Sequence, residues 1–151
     1  MDIEFENAKR KDVPVILQFI KELARYEKLE HEVIANEALL EQWLFDYKKA
    51  EVIFVVKDHH RIGFALFFHN FSTFLGRAGY IKPEYRGHGY GKATIKELVR
   101  IAKERGCGRM EWWCLDWNQS SIDFYLSLGA KPMDEWTVYR LTDDDFERLL
   151  Q

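Results

Sequence analysis

Three glycines at alternate positions, Gly87, Gly89 and Gly91, follow Lys82-Pro83-Glu84-Tyr85-Arg86 and lead into a run patterned as a helix, residues 92–105. Alternating glycines let a chain turn with few side chains in the way, so successive N–H groups can point at one guest, and the guest such a nest suits is an anion. The helix behind it adds unpaired first-turn N–H groups and the positive end of its dipole, about half an elementary charge, while Arg86 brings a fixed positive group. The stretch is a candidate phosphate cradle. It is not a Walker loop, because Gly91-Lys92-Ala93 offers no hydroxyl to magnesium, and Gly-x-Gly-x-Gly misses the dinucleotide spacing. A ligand-free strand-to-helix turn would use the same residues.

Such a turn must be held between a strand and a packed helix. Ala93, Ile95, Leu98, Val99, Ile101 and Ala102 give the following helix its apolar side, and Gly106 stops it. Upstream, Ile3-Glu4-Phe5-Glu6 alternates as a short strand. Pro14 opens a first helix that carries Ile16, Leu17, Ile20, Leu23 and Ala24 and ends near Tyr26, and Asn36 caps a second with Leu39, Leu40, Trp43 and Leu44. Residues 26–32 read as an acidic, aromatic connector. Residues 51–56 and 62–68 are β-rich runs, a hairpin turned at Lys57-Asp58-His59-His60-Arg61. Residues 70–79 read as loop. Residues 110–115 predict a buried strand with Trp112 and Trp113 on opposite sides, residues 122–128 a short helix closed by Gly129, residues 136–141 a last strand, and Asp143-Asp144-Asp145 a final helical start. No repeat or linker interrupts the chain, which reads as one domain over residues 1–151.

Composition narrows the function. With 47% hydrophobic and 15% aromatic residues the chain can pack a core, and 22 basic against 25 acidic residues leave a net charge of −3. That balance argues against a nucleic-acid or anionic-membrane surface and suits a cationic small substrate. Met1-Asp2-Ile3-Glu4 has no basic or apolar leader character, and no run approaches the roughly 20 apolar residues of a membrane span, so a cytoplasmic protein is expected. Cys107 and Cys114 are then reduced thiols. No metal site is expected: His59 and His60 diverge on a turn and lack a third ligand nearby.

Arg86-Gly87-His88-Gly89-Tyr90-Gly91, with its Pro83-Glu84-Tyr85 lead-in, resembles the Arg/Gln-x-x-Gly-x-Gly/Ala signature of GNAT acetyltransferases. The chain as a whole is similar to their diamine branch (spermidine/spermine and thialysine acetyltransferases), from Ile20-Lys21-Glu22-Leu23-Ala24-Arg25-Tyr26-Glu27-Lys28-Leu29 through Leu115-Asp116-Trp117-Asn118 to Phe124-Tyr125. The resemblance implies an α/β (α+β) GNAT fold, a mixed central sheet with splayed middle strands flanked by helices. It implies acetyl-CoA as cosubstrate, a small-molecule amine as acceptor and a homodimer. In one respect the chain departs from the family, whose members carry a full strand with an acidic pair before the lead-in. Here only Ala78-Gly79-Tyr80-Ile81 reads as strand, against a typical five or six residues. Either the strand draws in residues 75–79, or several residues are lacking from this run. The acidic pair is not carried over.

By resemblance, backbone groups of Tyr80 and Ile81 hold the pantetheine arm. Arg86, Gly87, His88, Gly89, Tyr90, Gly91 and Lys92 take the pyrophosphate, and Asn118, Gln119, Ser120 and Ser121 form a second CoA-contacting turn. Tyr125 matches the tyrosine that protonates the departing thiolate, a role open to a phenol because phenols ionise only near pH 10. Tyr26, Glu27, Glu111, Trp112 and Trp113 fall at substrate-contact positions, where carboxylates and ring faces would attract an ammonium. Each also has an ordinary reading as a surface acid, helix cap or packed aromatic. The expected reaction is direct acetyl transfer to a primary amine of a polyamine, diamine or lysine-like molecule. The alternatives are a peptide or protein amine as acceptor, or an acyl-CoA-binding module without turnover.

Overall fold

The computed structural model describes residues 2–69 and 75–151, with the backbone alone for 75–80. The chain divides into two units, Met1–Leu115 and Asp116–Gln151.

Four strands of the first unit, β1 (Glu4–Asn7), β2 (Glu51–Lys57), β3 (His60–His69) and β4 (Leu75–Ile81), form a sheet in the order β1-β2-β3-β4 with every pairing antiparallel. Val52, Ile53, Phe54 and Val55 are all buried, which requires a helix on each face of the sheet. On one face α1 (Val13–Tyr26), started by Pro14, packs Ile16 and Phe19 onto Val52, Phe54 and Phe64. Phe19 stacks on Phe64 with centroids 5.4 Å apart. On the other face α3 (Tyr90–Glu104) sets Leu98 and Ala102 against Ile53, Ala65 and Phe67. Burying side chains of this kind contributes roughly 1.5–3 kcal/mol each. The short helix α2 (Glu37–Glu41) is capped by Asn36, whose side-chain oxygen accepts from the Leu39 amide at 2.9 Å. It runs on as a wider π-type turn, Gln42–Asp46, that delivers Leu44 to the α1 face.

The hairpin between β2 and β3 turns on Asp58 and His59, both at positive φ, the geometry that matches the twist of two-residue hairpins. Two residues into β3 the ladder slips: Val55 faces Gly63 and Val56 faces Arg61, leaving Ile62 without an opposite. This bulge moves Ile62 to the α3 side, where it packs with Val55 and Tyr90, while Arg61 stays on the α1 side over the Phe54 ring. There Arg61 donates to the Asp12 carboxylate at 3.0 Å and to Glu6 at 2.7 Å.

In the second unit Asn118 caps α4 (Gln119–Ser127), accepting from the Ser121 amide at 3.2 Å, and Gly129 at φ 83° closes it. Thr142 caps α5 (Asp143–Leu150), donating its amide to Asp145 at 2.9 Å.

Three expectations need correction. Residues 75–79 are strand, not loop, because pairing from His69–Leu75 to Gly63–Ile81 overrides two glycines that weaken the β signal. The first of the two readings of β4 therefore holds; the rest of the expected loop, residues 70–74, lies outside the described residues. Residues 110–115 are half-buried irregular chain, and residues 136–141 are exposed and irregular. Apolar β-prone runs report only a capacity to lie on a pleated surface, and among the described residues neither finds a ladder partner. The sheet is antiparallel as far as it is described.

Candidate active site

At the end of β4, Lys82 donates its amide to the carbonyl of Ile62 at 2.9 Å. The bulge that faces Ile62 toward Tyr90 thus also fixes where the chain leaves the sheet. Pro83–Tyr85 make one 3-10 turn, closed by the Tyr85 amide on Lys82 (3.0 Å) and the Arg86 amide on Pro83 (3.1 Å). Gly87 at φ 77° and Gly89 at φ 82° occupy the left-handed region, and α3 starts one residue later. Two of the three glycines are therefore required by backbone geometry, while Gly91 is ordinary helix.

The Ala93 amide bonds the Gly89 carbonyl at 3.1 Å, the first such bond of α3. The amides of Tyr90, Gly91 and Lys92 accordingly precede any helical acceptor. Those of Gly87, His88 and Gly89 have no backbone partner among the described residues. Six consecutive N–H groups at a helix start meet the requirement of a phosphate or pyrophosphate. Side chains of the loop serve other ends. Tyr90 is buried against Val55 and Ile62, and the His88 ring stacks on it at 5.7 Å while Nδ1 donates to the Tyr85 carbonyl at 3.3 Å. Thr94 braces the first turn, its hydroxyl donating to the Tyr90 carbonyl at 2.8 Å. His88 and Tyr90 thus join the cradle through their backbone. Arg86 donates from Nε to the Ile81 carbonyl at 2.9 Å, and its guanidinium lies 4.3 Å from the centre of the Tyr26 ring.

Of the acceptor-side candidates, Tyr26 is the last residue of α1 and Glu27 its C-cap, with the Glu27 amide bonded to the Leu23 carbonyl at 2.9 Å. The Glu27 carboxyl is partly buried, and that burial raises it above the usual carboxylate range. Among the described residues it has no ion-pair partner, and a helix C-terminus is the wrong end for an acid. Glu111 differs, since Arg109 sits 3.4 Å from its carboxylate and already offsets its charge. Trp112 is half-buried and Trp113 is 77% exposed. Tyr80 and Ile81 lie in β4 with backbones paired to Phe64 and Gly63.

The second unit carries the rest of the expected machinery. Asn118 is buried, with its side chain on the cap of α4, followed by Gln119, Ser120 and Ser121 in the first turn. Tyr125 lies in the body of that helix, its ring 5.4 Å from that of Phe124. Sequence reasoning missed the parts played by Ile62, Lys82 and Phe19: a bulge legible in no local pattern turns Ile62 toward Tyr90, the Lys82 amide bonds the Ile62 carbonyl, and the Lys82 ammonium lies 5.5 Å from the Phe19 ring centre.

A strand that hands over through a left-handed glycine turn to a helix start whose first amides lack a helical acceptor has the form an anion requires, and in the same unit Glu27 has no ion-pair partner among the described residues. The chain belongs to the acetyltransferase (GNAT) family, whose sequence model matches residues 16–130. It is 33% identical over 164 residues to the thialysine N-epsilon-acetyltransferase of Bos taurus, covering 97% of this chain and 96% of that protein. To the L-ornithine N5-acetyltransferase of Arabidopsis thaliana it is 27% identical over 190 residues, 91% of this chain and 83% of that one. A predicted acetyltransferase of Clostridium acetobutylicum, solved with acetyl-CoA, shares the fold at a TM-score of 0.74 and 17% identity, over 91% of this chain and 96% of that chain. The protein is thus an acetyltransferase that uses acetyl-CoA.

Proposed function

We propose that this enzyme transfers the acetyl group to a primary amine of a small cationic acceptor: a lysine-like amino acid, a diamine or a polyamine. The observation that carries the reading is Glu27, a partly buried carboxylate without an ion pair among the described residues, held at the end of α1 beside Tyr26. Leaving an acid so placed destabilises the protein unless a cation arrives to meet it. The names of the thialysine and ornithine relatives support the same class of acceptor.

Bound acetyl-CoA supplies an acetyl group activated as a thioester. The amides of residues 87–92 and the Arg86 guanidinium would hold its pyrophosphate, Tyr80 and Ile81 would face its pantetheine arm, and the turn 118–121 would make a second contact. Glu27 would hold the acceptor's ammonium end while a neutral amine reacts, with Trp112 and Trp113 as ring faces nearby in sequence and Glu111 contributing less because Arg109 already pairs with it. Tyr125 would give the proton on its Oη to the departing sulfur. Positioning of this kind can supply several kcal/mol of rate acceleration without further reactive groups. The proposed enzyme is one domain over residues 1–151, a homodimer working in the cytoplasm, as the resemblance implies; light scattering tests the dimer.

The decisive test is turnover of acetyl-CoA, followed as free thiol, against thialysine, ornithine, putrescine, spermidine and neutral amines of matched size. Cationic acceptors should dominate kcat/KM. Equal turnover of neutral and cationic amines would overturn the acidic-pocket reading, and no turnover with any amine would overturn the acceptor class.

A further inference from the structure

Helix α1 reaches the phosphate turn as well as the sheet. Phe19 and Tyr26 stand about two helical turns apart on one side of it. The Lys82 ammonium lies 5.5 Å from the Phe19 ring centre, and the Arg86 guanidinium lies 4.3 Å from that of Tyr26. Lys82 and Arg86 bracket the 3-10 turn Pro83–Tyr85. One helix face therefore grips both ends of the segment that opens the cradle. Phe19 is buried and stacked on Phe64, so changing it would disturb the core. Tyr26 is half-buried at the helix end and can be changed with less collateral damage.

We propose that Tyr26 is a positioning residue for the acyl donor: its ring holds the Arg86 guanidinium at the mouth of the cradle and thereby sets the affinity for acetyl-CoA. The inference rests on the reading that residues 86–92 take the pyrophosphate. A long arginine side chain loses rotamer freedom when it engages an anion, and a ring that already fixes the planar guanidinium removes part of that cost beforehand. The second tether, Nε to the Ile81 carbonyl, fixes the same group from the strand side. The ring face under Arg86 is closed to a substrate ammonium, which a stacked guanidinium would also repel. Tyr26 thus belongs to the donor side, and the acceptor side at this helix end is left to Glu27.

Calorimetric titration with acetyl-CoA, without amine, tests this on the parent, Tyr26→Phe, Tyr26→Leu, Arg86→Ala and the double variant Tyr26→Leu/Arg86→Ala. Cation–π contacts set the expected scale, a Kd about 3- to 30-fold higher for Tyr26→Leu, with Tyr26→Phe like the parent. In the Arg86→Ala background the leucine change should add nothing, because the two residues act as one. The KM for the amine should stay unchanged. A Tyr26→Leu variant that raises amine KM and spares acetyl-CoA affinity would overturn the proposal, as would full additivity with Arg86→Ala. Should the leucine variant fail to fold, Tyr26→Gln gives the same reading. If Arg86→Ala itself leaves acetyl-CoA affinity unchanged, the Tyr26 proposal is overturned while the backbone cradle stands; failure of the cradle reading is distinct and shows as a folded Gly89→Ala variant that binds acetyl-CoA like the parent.

Discussion

Arg61 donates from Nη1 to a carboxylate oxygen of Asp12 at 3.0 Å, across 49 positions of the chain. Asp12 is buried, and its other oxygen accepts from the Lys9 amide at 2.8 Å. Burial pushes the Asp12 carboxyl upward, but the Lys9 amide and the Arg61 guanidinium outweigh it and hold the group below its usual range. A carboxyl depressed in the native state adds stability above its unfolded value, about 3.9, and loses it as pH falls through the native value. Asp12→Asn should therefore cost about 1.5–3 kcal/mol at pH 7, the range for a hydrogen bond to a charged group, and much less below pH 3. Urea midpoints of the parent and the variant at the two pH values check this. A penalty independent of pH would mean that Asp12 acts by shape alone.

Gly89 and Gly91 should respond differently to alanine. At φ 82° an L side chain at position 89 costs about 1–2 kcal/mol and places a Cβ in the turn. Position 91 is helical, where alanine is favoured by about 0.5–1 kcal/mol. Gly89→Ala should stay folded but bind acetyl-CoA at least about tenfold more weakly, a loss of roughly 1.4 kcal/mol or more. Gly91→Ala should bind like the parent and melt slightly higher. Thermal melts with calorimetry separate the two effects.

For Glu27 the sign of the pH effect is reversed. Burial raises its carboxyl, so the folded protein holds that proton more tightly than the unfolded chain. The group therefore subtracts stability at neutral pH and stops doing so as pH falls through its native value. Glu27→Gln should leave the melting temperature at pH 7 equal or higher while raising KM for diamines several-fold, with KM for acetyl-CoA unmoved. A variant that is destabilised and keeps its amine KM would make Glu27 a structural acid.

Tyr125→Phe keeps the ring beside Phe124 and removes only the hydroxyl. A donor that acts as charge develops on sulfur contributes to the transition state, so kcat should fall on the order of 10²- to 10⁴-fold in single-turnover measurements while acetyl-CoA affinity holds. A folded, saturable variant as fast as the parent would place the proton donor elsewhere.

What the sequence made legible was local. Pro14, the Asn36 cap, the glycine turn and the periodicity of residues 93–102 each report on neighbours within a turn or two, and each element appears where it was expected. The length of β4 was hidden because Gly76 and Gly79 have weak strand preference, and only β3 alongside makes them strand. The Arg61 network and the Arg86–Tyr26 contact join residues far apart in the chain, and no periodicity encodes them. The apolar runs 110–115 and 136–141 were misread for the complementary reason: composition favoured a strand, and pairing decided otherwise.

The alternation along β2 makes that strand a party wall. Val52 and Phe54 lean toward α1, which ends in Tyr26 and Glu27, while Ile53 and Val55 lean toward α3 and Tyr90, beneath the glycine turn. Substitutions that reshape the floor under α1 can accumulate without passing through the layer that carries the turn. On the proposed reading, such a scaffold can hold one side fixed for the acyl donor and let the other vary with the acceptor. That separation lapses at Phe19 and Tyr26, where the α1 side reaches over the edge of the wall to Lys82 and Arg86.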